Sequence, residues 1–356
     1  MDCQEILAAM VAPLCLWYKE NQRILPWREN HDPYRVWVSE IMLQQTRVEA
    51  AMPYYQRFLE ALPTVSALAD APEEQLMKLW EGLGYYSRVR NMQKAAQTIV
   101  TEYGGQFPQD VALLEKLPGI GDYTAGAVAS IAFGQPMPAV DGNVLRVLAR
   151  LCDDERDIML PQVKKDVKKA LSLVYPLAED CSDLTQGLME LGAMVCIPGV
   201  PRCDLCPLKD LCLAKKGNRE QLLPVRKAKT EKKRVARTIF LLRHGEEFAL
   251  VKRAEKGVLA GMWEFPAMEG HGSLAEVDVW LKEHSISGEK HRFIDSRHVF
   301  THLIWDMQSY LVCSENKPRE FAWFSLDELL ESVALPSAMK PFLKALIEGQ
   351  EKGSKL

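Results

Sequence analysis

The strongest constraint on this chain is a set of four cysteines that lie close together. Cys196, Cys203, Cys206 and Cys212 follow the spacing C-x6-C-x2-C-x5-C in a segment that also carries three prolines. Both tetrahedral Zn²⁺ and an iron–sulfur cube take four sulfur ligands, so this loop predicts one soft metal centre. The spacing alone leaves zinc and cluster open, and four unliganded core thiols are the less favoured alternative.

The spacing of the cysteines outside this loop does not indicate a second set of paired cysteines. The chain has nine cysteines, and the others are Cys3, Cys15, Cys152, Cys181 and Cys313. Their scatter predicts free thiols in a reducing compartment. The first residues, MDCQEILAAMVAPL, lack a basic stretch before an apolar run, and no stretch is apolar for long enough to span a bilayer. We therefore expect a soluble cytoplasmic protein of bacterial type, without a membrane partner or an organelle-targeting or clamp-binding extension.

Length and a change of pattern predict two domains. The chain has 356 residues, 47% of them hydrophobic, which suffices for two cores. The segment 214–234 is strongly basic and broken by Gly217 and Pro224, so we interpret it as an interdomain linker, either a solvated tether or a phosphate-facing strip. We predict a helical domain over 1–213 and an α+β domain over 235–350.

Individual segments carry these patterns. Apolar residues recur three or four apart in EEQLMKLWEGL, SRVRNMQKAAQTIVTEY, NVLRVLARL and KKDVKKALSLV, which predicts helices. After the linker, RTIFLLRHGEEFALVKR predicts two strands around a polar turn, and HRFIDSRHVFTHLIWDMQSYLV predicts two more. SLAEVDVWLKEH and SLDELLESV predict helices, so this domain mixes both kinds of element.

A glycine-containing turn offers a local anion site. The net charge is −4, which argues mildly against a nucleic-acid binder unless the contact is local. Between two helical patterns, Leu117-Pro118-Gly119-Ile120-Gly121 predicts a tight hairpin with positive φ angles at the glycines. Backbone N–H groups at the start of the next helix can then hold a phosphate without a basic side chain. An ordinary helix–helix corner is the alternative.

Two carboxylates have surroundings suited to acid and anion chemistry. Asp141, in AVDGNVLRVLAR, precedes a helical run, so the helix dipole should keep it ionised, and such an anion can stabilise an oxocarbenium-like sugar cation. Glu40 lies on a helix that Asp32 can cap and Pro33 can open. Its helical neighbours Val36, Trp37, Leu43 and Gln44 should raise its pKa, as a general acid requires. A plain N-cap aspartate and a surface glutamate are the alternatives.

Longer strings resemble a known family. LPGIG followed by VDGNV resembles the helix-hairpin-helix DNA glycosylases, and the cysteine spacing matches the iron–sulfur loop of their cluster-bearing branch. LPWRENHDPYRVWVSEIMLQQTRV resembles the adenine DNA glycosylases, which excise adenine mispaired with 8-oxoguanine. The resemblance implies an all-α glycosylase domain with a [4Fe–4S] cluster on the four loop cysteines.

The resemblance also implies catalytic roles. Glu40 is then the general acid, Asp141 stabilises the oxocarbenium-like state, and Asn143 positions the water or the sugar. Bifunctional relatives carry a lysine nucleophile directly after the hairpin, where this chain has Tyr123. A phenol cannot form a Schiff base, so we expect hydrolysis with little or no strand cleavage.

Other residues are implied to hold the flipped adenine and the duplex, because a purine must leave the stack before it can be excised. Those that line the adenine pocket are Arg28, Leu43, Val48 and Gln186. Those that probe the duplex near the lesion are Gln45, Leu83 and Tyr85, together with Gly119 and Gly121 of the hairpin. For Leu43 and Val48, helix core is the alternative.

From about Val235 the chain resembles the Nudix fold. GMWEFPAMEG is similar to its strand-and-loop entry and FAWFSLDEL to its closing segment, but AMEGHGSLAEVDVWLKEHSI lacks the REUxEE carboxylates. Pyrophosphate hydrolysis is therefore not expected. The resemblance implies that Phe300, Thr301 and His302 read the oxidised guanine, with the Thr301 hydroxyl as the reader. Taken alone, these three residues indicate an ordinary hairpin turn.

Together these observations predict a monofunctional adenine DNA glycosylase of base excision repair. Its expected partner is double-stranded DNA with an 8-oxoguanine:adenine or guanine:adenine pair, and we expect a monomer associated with the nucleoid. A lesion-binding module without activity and a Nudix hydrolase of oxidised nucleotides remain the alternatives.

Overall fold

The computed structural model describes residues 1–177, 179–227 and 231–351. Contacts within the chain group it into two compact units. The first comprises Met1–Ala71 and Asn91–Ala228, and the second comprises Pro72–Arg90 and Lys229–Leu356. The segment Pro72–Arg90 thus groups with the C-terminal part of the chain, although it lies inside the predicted domain 1–213.

Helices make up the first unit and flank the sheet of the second. In chain order they are α1 (Cys3–Asn21), α2 (Pro33–Leu43), α3 (Val48–Ala61), α4 (Val65–Asp70), α5 (Glu73–Leu79), α6 (Ser87–Tyr103), α7 (Val111–Leu114), α8 (Asp122–Phe133), α9 (Gly142–Leu151), α10 (Pro161–Ser172), α11 (Glu179–Met194), α12 (Leu213–Lys216), α13 (Leu274–Glu283), α14 (Leu326–Glu331) and α15 (Lys340–Glu351). Single 3₁₀ turns lie at Pro26–Arg28 and Cys203–Leu205. Among the described helices, none is both long and apolar enough to cross a bilayer.

Capping side chains set the starts of the helices that carry the site. Asp32 accepts a hydrogen bond from the Arg35 N–H and Pro33 occupies the first turn of α2, as the sequence predicts. Asp141 caps α9 in the same way. These caps fix where α2 and α9 begin, and therefore where their side chains point.

The core of the first unit forms where α11 packs against α1, α8 and α9. Met10 and Leu14 of α1, Val144 of α9, and Leu184 and Leu188 of α11 are all buried there. α11 approaches the start of α9 closely, because a Cβ on Gly192 would lie 2.6 Å from the Asn143 Cβ. A glycine at this position lets α11 hold the first turn of α9 in place.

The predicted hairpin lies between α7 and α8. Leu117 and Ile120 are buried, and Gly119 has φ +77° with space only for a hydrogen, since a Cβ would lie 2.7 Å from the Asn91 Cβ. Gly121 has φ −97°, so the prediction of a positive φ there is wrong. Gly121 is the N-cap of α8, and an N-cap residue takes an extended conformation. No described side chain caps this helix, which leaves its first N–H groups open.

A mixed sheet forms the second unit. Its strands are β1 (Lys233–His244), β2 (Glu247–Lys252), β3 (Trp263–Glu264), β4 (Ala267–Glu269), β5 (Gly288–Arg292), β6 (Ser296–Val299), β7 (Leu303–Ser314) and β8 (Ala322–Ser325). Their central order is β3-β2-β1-β7-β5, with β1 and β7 parallel. The remaining pairs, β1 with β4, β7 with β6 and β2 with β8, are antiparallel.

Both faces of this sheet are covered by helices, because successive side chains of β1 point to opposite faces and each face is apolar. Ile239 and Leu241 point into one core with Phe342 of α15, whereas Phe240 and Leu242 point into another with Val277 of α13. The prediction of an α+β domain is confirmed.

Two details of the predicted elements are wrong. The segment 291–312 is predicted to form two strands, but it contains parts of three, β5, β6 and β7. Residues 293–295 belong to no strand, and there the Phe293 N–H bonds to the Ser309 carbonyl. The helix predicted over 73–83 ends at Leu79, since the chain turns at Gly82, whose φ is +105°.

The first part of the predicted linker is not a solvated tether. Ala214 and Leu223 are buried, and the Leu223 carbonyl accepts a hydrogen bond from Arg150 Nε at 2.9 Å. The linker's end belongs to β1, which begins at Lys233. Residues 228–230 lie outside the described residues.

Two of the scattered cysteines are paired. Cys3 and Cys152 form a disulfide that joins the first residue of α1 to the residue after α9. The expectation of free thiols is therefore wrong for these two. A separation of 149 residues gives no spacing signal, so only the packing of α1 brings them together.

Candidate active site

A cavity of about 550 Å³ in the first unit gathers residues from distant parts of the sequence. The predicted site residues that line it are Arg28, Glu40, Leu43, Gln45, Val48, Tyr123, Asp141, Asn143 and Gln186. The residues implied for catalysis and those implied for the adenine pocket thus share one space. Gly119 and Gly121 of the hairpin do not line this cavity.

Glu40 lies on α2 with only 7% of its surface exposed. Burial raises the pKa of its carboxyl to about 7, although the hydrogen bond from Tyr123 lowers it. The nearby Asp141 raises the pKa of Glu40 and Arg28 lowers it. A carboxyl with this pKa is partly protonated at near-neutral pH, and the protonated form is the one that a general acid needs.

Tyr123, in the first turn of α8, contacts the candidate acid directly. Its hydroxyl donates a hydrogen bond to Glu40 Oε2 at 2.6 Å. Burial, reinforced by the two carboxylates, raises the pKa of the phenol, so the hydroxyl stays a donor. Sequence reasoning considered this position only as the place of a missing lysine, and it did not find the contact with Glu40.

Asp141 is both an N-cap and part of the cavity wall. Its Oδ1 accepts from the Val144 N–H at 2.7 Å and its Oδ2 from Asn143 Nδ2 at 2.8 Å. Burial raises the pKa of Asp141, and these bonds oppose the rise. The sequence argument found the position of Asp141 at the start of α9, which favours the anion, but neither the bond from Asn143 nor the burial that opposes the anion.

Arg146 extends this arrangement away from the cavity. Its Nη2 donates to Asn143 Oδ1 at 2.9 Å and to the Gly192 carbonyl at 2.7 Å, while its Nε donates to the Cys196 carbonyl at 2.7 Å. A hydrogen-bonded path therefore joins Asp141 to the cysteine loop through two side chains. The sequence carries one signal for it, which is that Arg146 lies between apolar residues of α9.

The four loop cysteines surround a common small cavity, as the spacing predicts for ligands of one centre. All four are partly buried and none is in a disulfide. Arg150 Nη1 donates a hydrogen bond to Cys196 Sγ at 3.3 Å. Among the described residues no three potential ligands meet closely enough to hold a single metal ion. Four cysteines that line one cavity fit a group held by four sulfur ligands.

The second unit has its own cavity, of about 560 Å³, lined by Tyr85, Phe300, Thr301 and His302 among others. Thr301 and His302 form the exposed turn between β6 and β7, closed by the bond from the Phe300 N–H to the Leu303 carbonyl at 2.8 Å. The Tyr85 and Thr301 hydroxyls are in hydrogen-bond contact.

Two of the residues implied to probe the duplex are exposed and have left-handed backbones. Tyr85 has φ +50° and Gln45 has φ +61°, conformations that cost energy in residues other than glycine. Leu83, the third, is buried and does not line the cavity of the second unit.

Comparisons with known proteins match this geometry. Residues 38–175 match the HhH-GPD superfamily of base excision DNA repair proteins, and residues 238–345 match the NUDIX domain. Among solved structures, a thermostable thymine-DNA glycosylase has a TM-score of 0.54 at 26% identity and covers 60% of this chain and 98% of its own. A non-covalent endonuclease III–DNA complex has a TM-score of 0.51 at 26% identity, with 61% and 98% covered. The predicted helix-hairpin-helix and Nudix-like domains are confirmed.

Relatives of known activity cover most of the chain. An adenine DNA glycosylase of Buchnera aphidicola (subsp. Acyrthosiphon pisum) is 34% identical over 83% of this chain and 84% of its own length. The adenine DNA glycosylase of Homo sapiens is 33% identical over 99% of this chain and 76% of its own. The chain therefore belongs to the adenine DNA glycosylases, the base excision repair enzymes that hydrolyse the N-glycosyl bond of adenine in DNA.

Proposed function

We propose that the enzyme removes adenine paired with 8-oxoguanine or guanine in duplex DNA, with Glu40 as the general acid and Asp141 as the stabilising anion. The observation that carries the proposal is that Glu40, whose pKa is raised to about 7, shares one cavity with Asp141. Burial raises the pKa of both carboxyls, but Asp141 accepts hydrogen bonds from the Val144 N–H and from Asn143 Nδ2 that favour its anion, so the two groups can divide the roles of acid and anion.

In the proposed reaction, Glu40 donates its proton to a ring nitrogen of adenine as the N-glycosidic bond breaks. The bonding electron pair leaves with the base, which departs as neutral adenine. Positive charge develops at C1′ of the sugar, and the Asp141 carboxylate stabilises it. Water adds at C1′ and passes its proton to a carboxylate, so the product is an abasic site. Asn143, bonded to Asp141 Oδ2, holds that carboxylate in its orientation.

We further propose that the Thr301 hydroxyl recognises the oxidised guanine and that Cys196, Cys203, Cys206 and Cys212 hold a [4Fe–4S] cluster. When bound, such a cluster supplies four metal–thiolate bonds that fix the loop. Arg202 directly precedes Cys203, and Lys209 lies between Cys206 and Cys212 in sequence, so the fixed loop would present these positive charges to DNA. We propose that the protein acts as a monomer in the cytoplasm, associated with the nucleoid.

The test is adenine release under single-turnover conditions by the parent protein and by Glu40→Gln, which keeps the shape of the side chain but removes the acid. We expect the rate to fall by about 10²-fold or more. The matched control is Glu60→Gln, at an exposed glutamate of α3, which should excise at the parental rate. Equal rates for parent and Glu40→Gln would refute the assigned role.

A further inference from the structure

A third carboxylate lines the active-site cavity beside Glu40 and Asp141. Glu190 of α11 has a side chain that is only 1% exposed, and it binds two arginines. Its Oε1 accepts from the Arg23 N–H and Nε, each at 2.9 Å, and from Arg28 Nη1 at 3.1 Å. Its Oε2 accepts from Arg23 Nη2 at 2.9 Å and from Arg28 Nη2 at 2.8 Å.

These bonds fix both the geometry and the charge of the group. Burial raises the pKa of Glu190, but the hydrogen bonds from Arg23 and Arg28 outweigh this and lower it to about 2. Glu190 is therefore an anion at any working pH. Two guanidinium groups and one carboxylate give the group a net charge of +1.

Arg28 is held by Glu190, by the Arg23 carbonyl, which accepts from its Nη1 at 3.1 Å, and by the Tyr18 ring. Both of its Nη atoms bond to Glu190, and its guanidinium lies over the Tyr18 ring with Cζ 5.4 Å from the centroid. Its Nε is buried and has no hydrogen-bond partner within the described part of the chain. A buried donor without a partner costs free energy unless a ligand supplies an acceptor. A purine ring nitrogen in the cavity is such an acceptor.

The same arginine acts on the candidate general acid. The positive charge of Arg28 favours the ionised form of Glu40 and so lowers its pKa. The other charged or titratable groups around this cavity are Arg23, Tyr123, Asp141, Lys164 and Glu190. Glu190 is the anion bonded to Arg28, so it is placed to offset this charge while it holds the arginine still.

We propose that Glu190 is a positioning residue, which orients Arg28 toward adenine and offsets its charge so that Glu40 keeps its proton. This inference rests on the proposed function. Glu190 acts through Arg28 and does not contact adenine itself, because both of its carboxylate oxygens accept hydrogen bonds from arginine.

Two substitutions that change the charge of this group in opposite directions test the inference. Glu190→Gln raises the net charge from +1 to +2, so the pKa of Glu40 should fall. Arg23→Met lowers it from +1 to 0, so the pKa should rise. The readout is the single-turnover rate of adenine release against pH, whose decline on the basic side follows the loss of the Glu40 proton.

We expect the basic limb to move to lower pH by about half a unit in Glu190→Gln and to higher pH by a similar amount in Arg23→Met. A loss of structure alone would lower the rate at every pH without moving the limb. An unmoved limb, or movement in the same direction in both variants, would overturn the inference. Thermal unfolding shows whether each variant is folded, and if Glu190→Gln does not fold, the direction of the Arg23→Met shift decides.

The parent protein separates this inference from the proposed function. If the parent releases no adenine from an 8-oxoguanine:adenine duplex, the proposed function fails and this inference fails with it. If the parent releases adenine and the limbs do not move as stated, only the role of Glu190 is refuted.

Discussion

The Tyr123 hydroxyl donates a hydrogen bond to Glu40 Oε2 at 2.6 Å, joining residues 83 apart in the sequence. This bond holds the candidate acid in one orientation and at the same time favours its ionised form. Burial of Glu40 acts in the other direction and is the larger effect. The balance leaves a pKa of about 7, so the parent rate should decline as the pH rises through this value.

Tyr123→Phe removes the bond and keeps the ring. Since the bond lowers the pKa of Glu40, its loss should move the basic limb of the pH–rate profile to higher pH. The maximal rate should fall, by roughly tenfold, because Glu40 is less well oriented. Single-turnover excision across a pH series measures both effects. The matched control is Tyr103→Phe, at the end of α6, which should leave the profile unchanged. A basic limb that moves to lower pH would contradict this account of the bond.

Arg146→Met should uncouple the cysteine loop from Asp141. The variant loses the bonds to Asn143 Oδ1 and to the Cys196 carbonyl, so Asn143 no longer holds Asp141 in place. We expect a fall of about 10²-fold in the single-turnover rate, the size typical of a small misplacement of reacting groups. Arg156→Met, at an exposed ion pair, is the control. Parental activity of Arg146→Met would show that the hydrogen bonds through Arg146 and Asn143 do not help to position Asp141.

Cys203→Ser should abolish the visible absorbance of an iron–sulfur cluster, because serine is a poor substitute for one of four thiolate ligands. DNA binding should weaken, since the loop that carries Arg202 and Lys209 loses its anchor. Iron, sulfide and zinc analysis of the parent protein identifies the metal. Cys313→Ser, outside the loop, should keep both properties. Zinc without sulfide in the parent, or full DNA binding without the chromophore, would argue against the proposed cluster or its role.

Thr301→Val keeps the size of the side chain and removes the hydroxyl that contacts Tyr85. Its rate on guanine:adenine duplexes should stay near that of the parent, while its preference for 8-oxoguanine:adenine should fall by about tenfold, the equivalent of one lost hydrogen bond. Thr101→Val, at an exposed position of α6, is the control. Equal losses on both duplexes would indicate destabilisation rather than a lost contact with the lesion.

Local signals explain which parts of the site can be predicted from sequence. The capping pair Asp32 and Pro33 fixes the start of α2, and periodicity then predicts that Glu40 faces apolar neighbours. The spacing of the four cysteines likewise predicts that they line one cavity. Such features depend on residues that are close together in the chain.

The remaining features depend on packing between distant helices. The contact of Tyr123 with Glu40, the pairing of Glu190 with Arg23 and Arg28, and the disulfide of Cys3 with Cys152 have no spacing signal. The burial of Asp141 is also set by packing, so its effect on the pKa could not be predicted from a capping pattern.

The most direct test of the central claim is a single-turnover incubation of the parent protein with a duplex that holds one 8-oxoguanine:adenine pair, developed with and without hot alkali. Tyr123, which contacts Glu40, is a phenol and cannot form a Schiff base, so the amine for a lyase reaction would have to come from Lys164, which also lines the cavity. We predict strand breakage at the adenine only after alkali, as expected for hydrolysis without lyase action. Breakage without alkali would contradict the hydrolytic mechanism, and no breakage under either condition would contradict adenine excision itself.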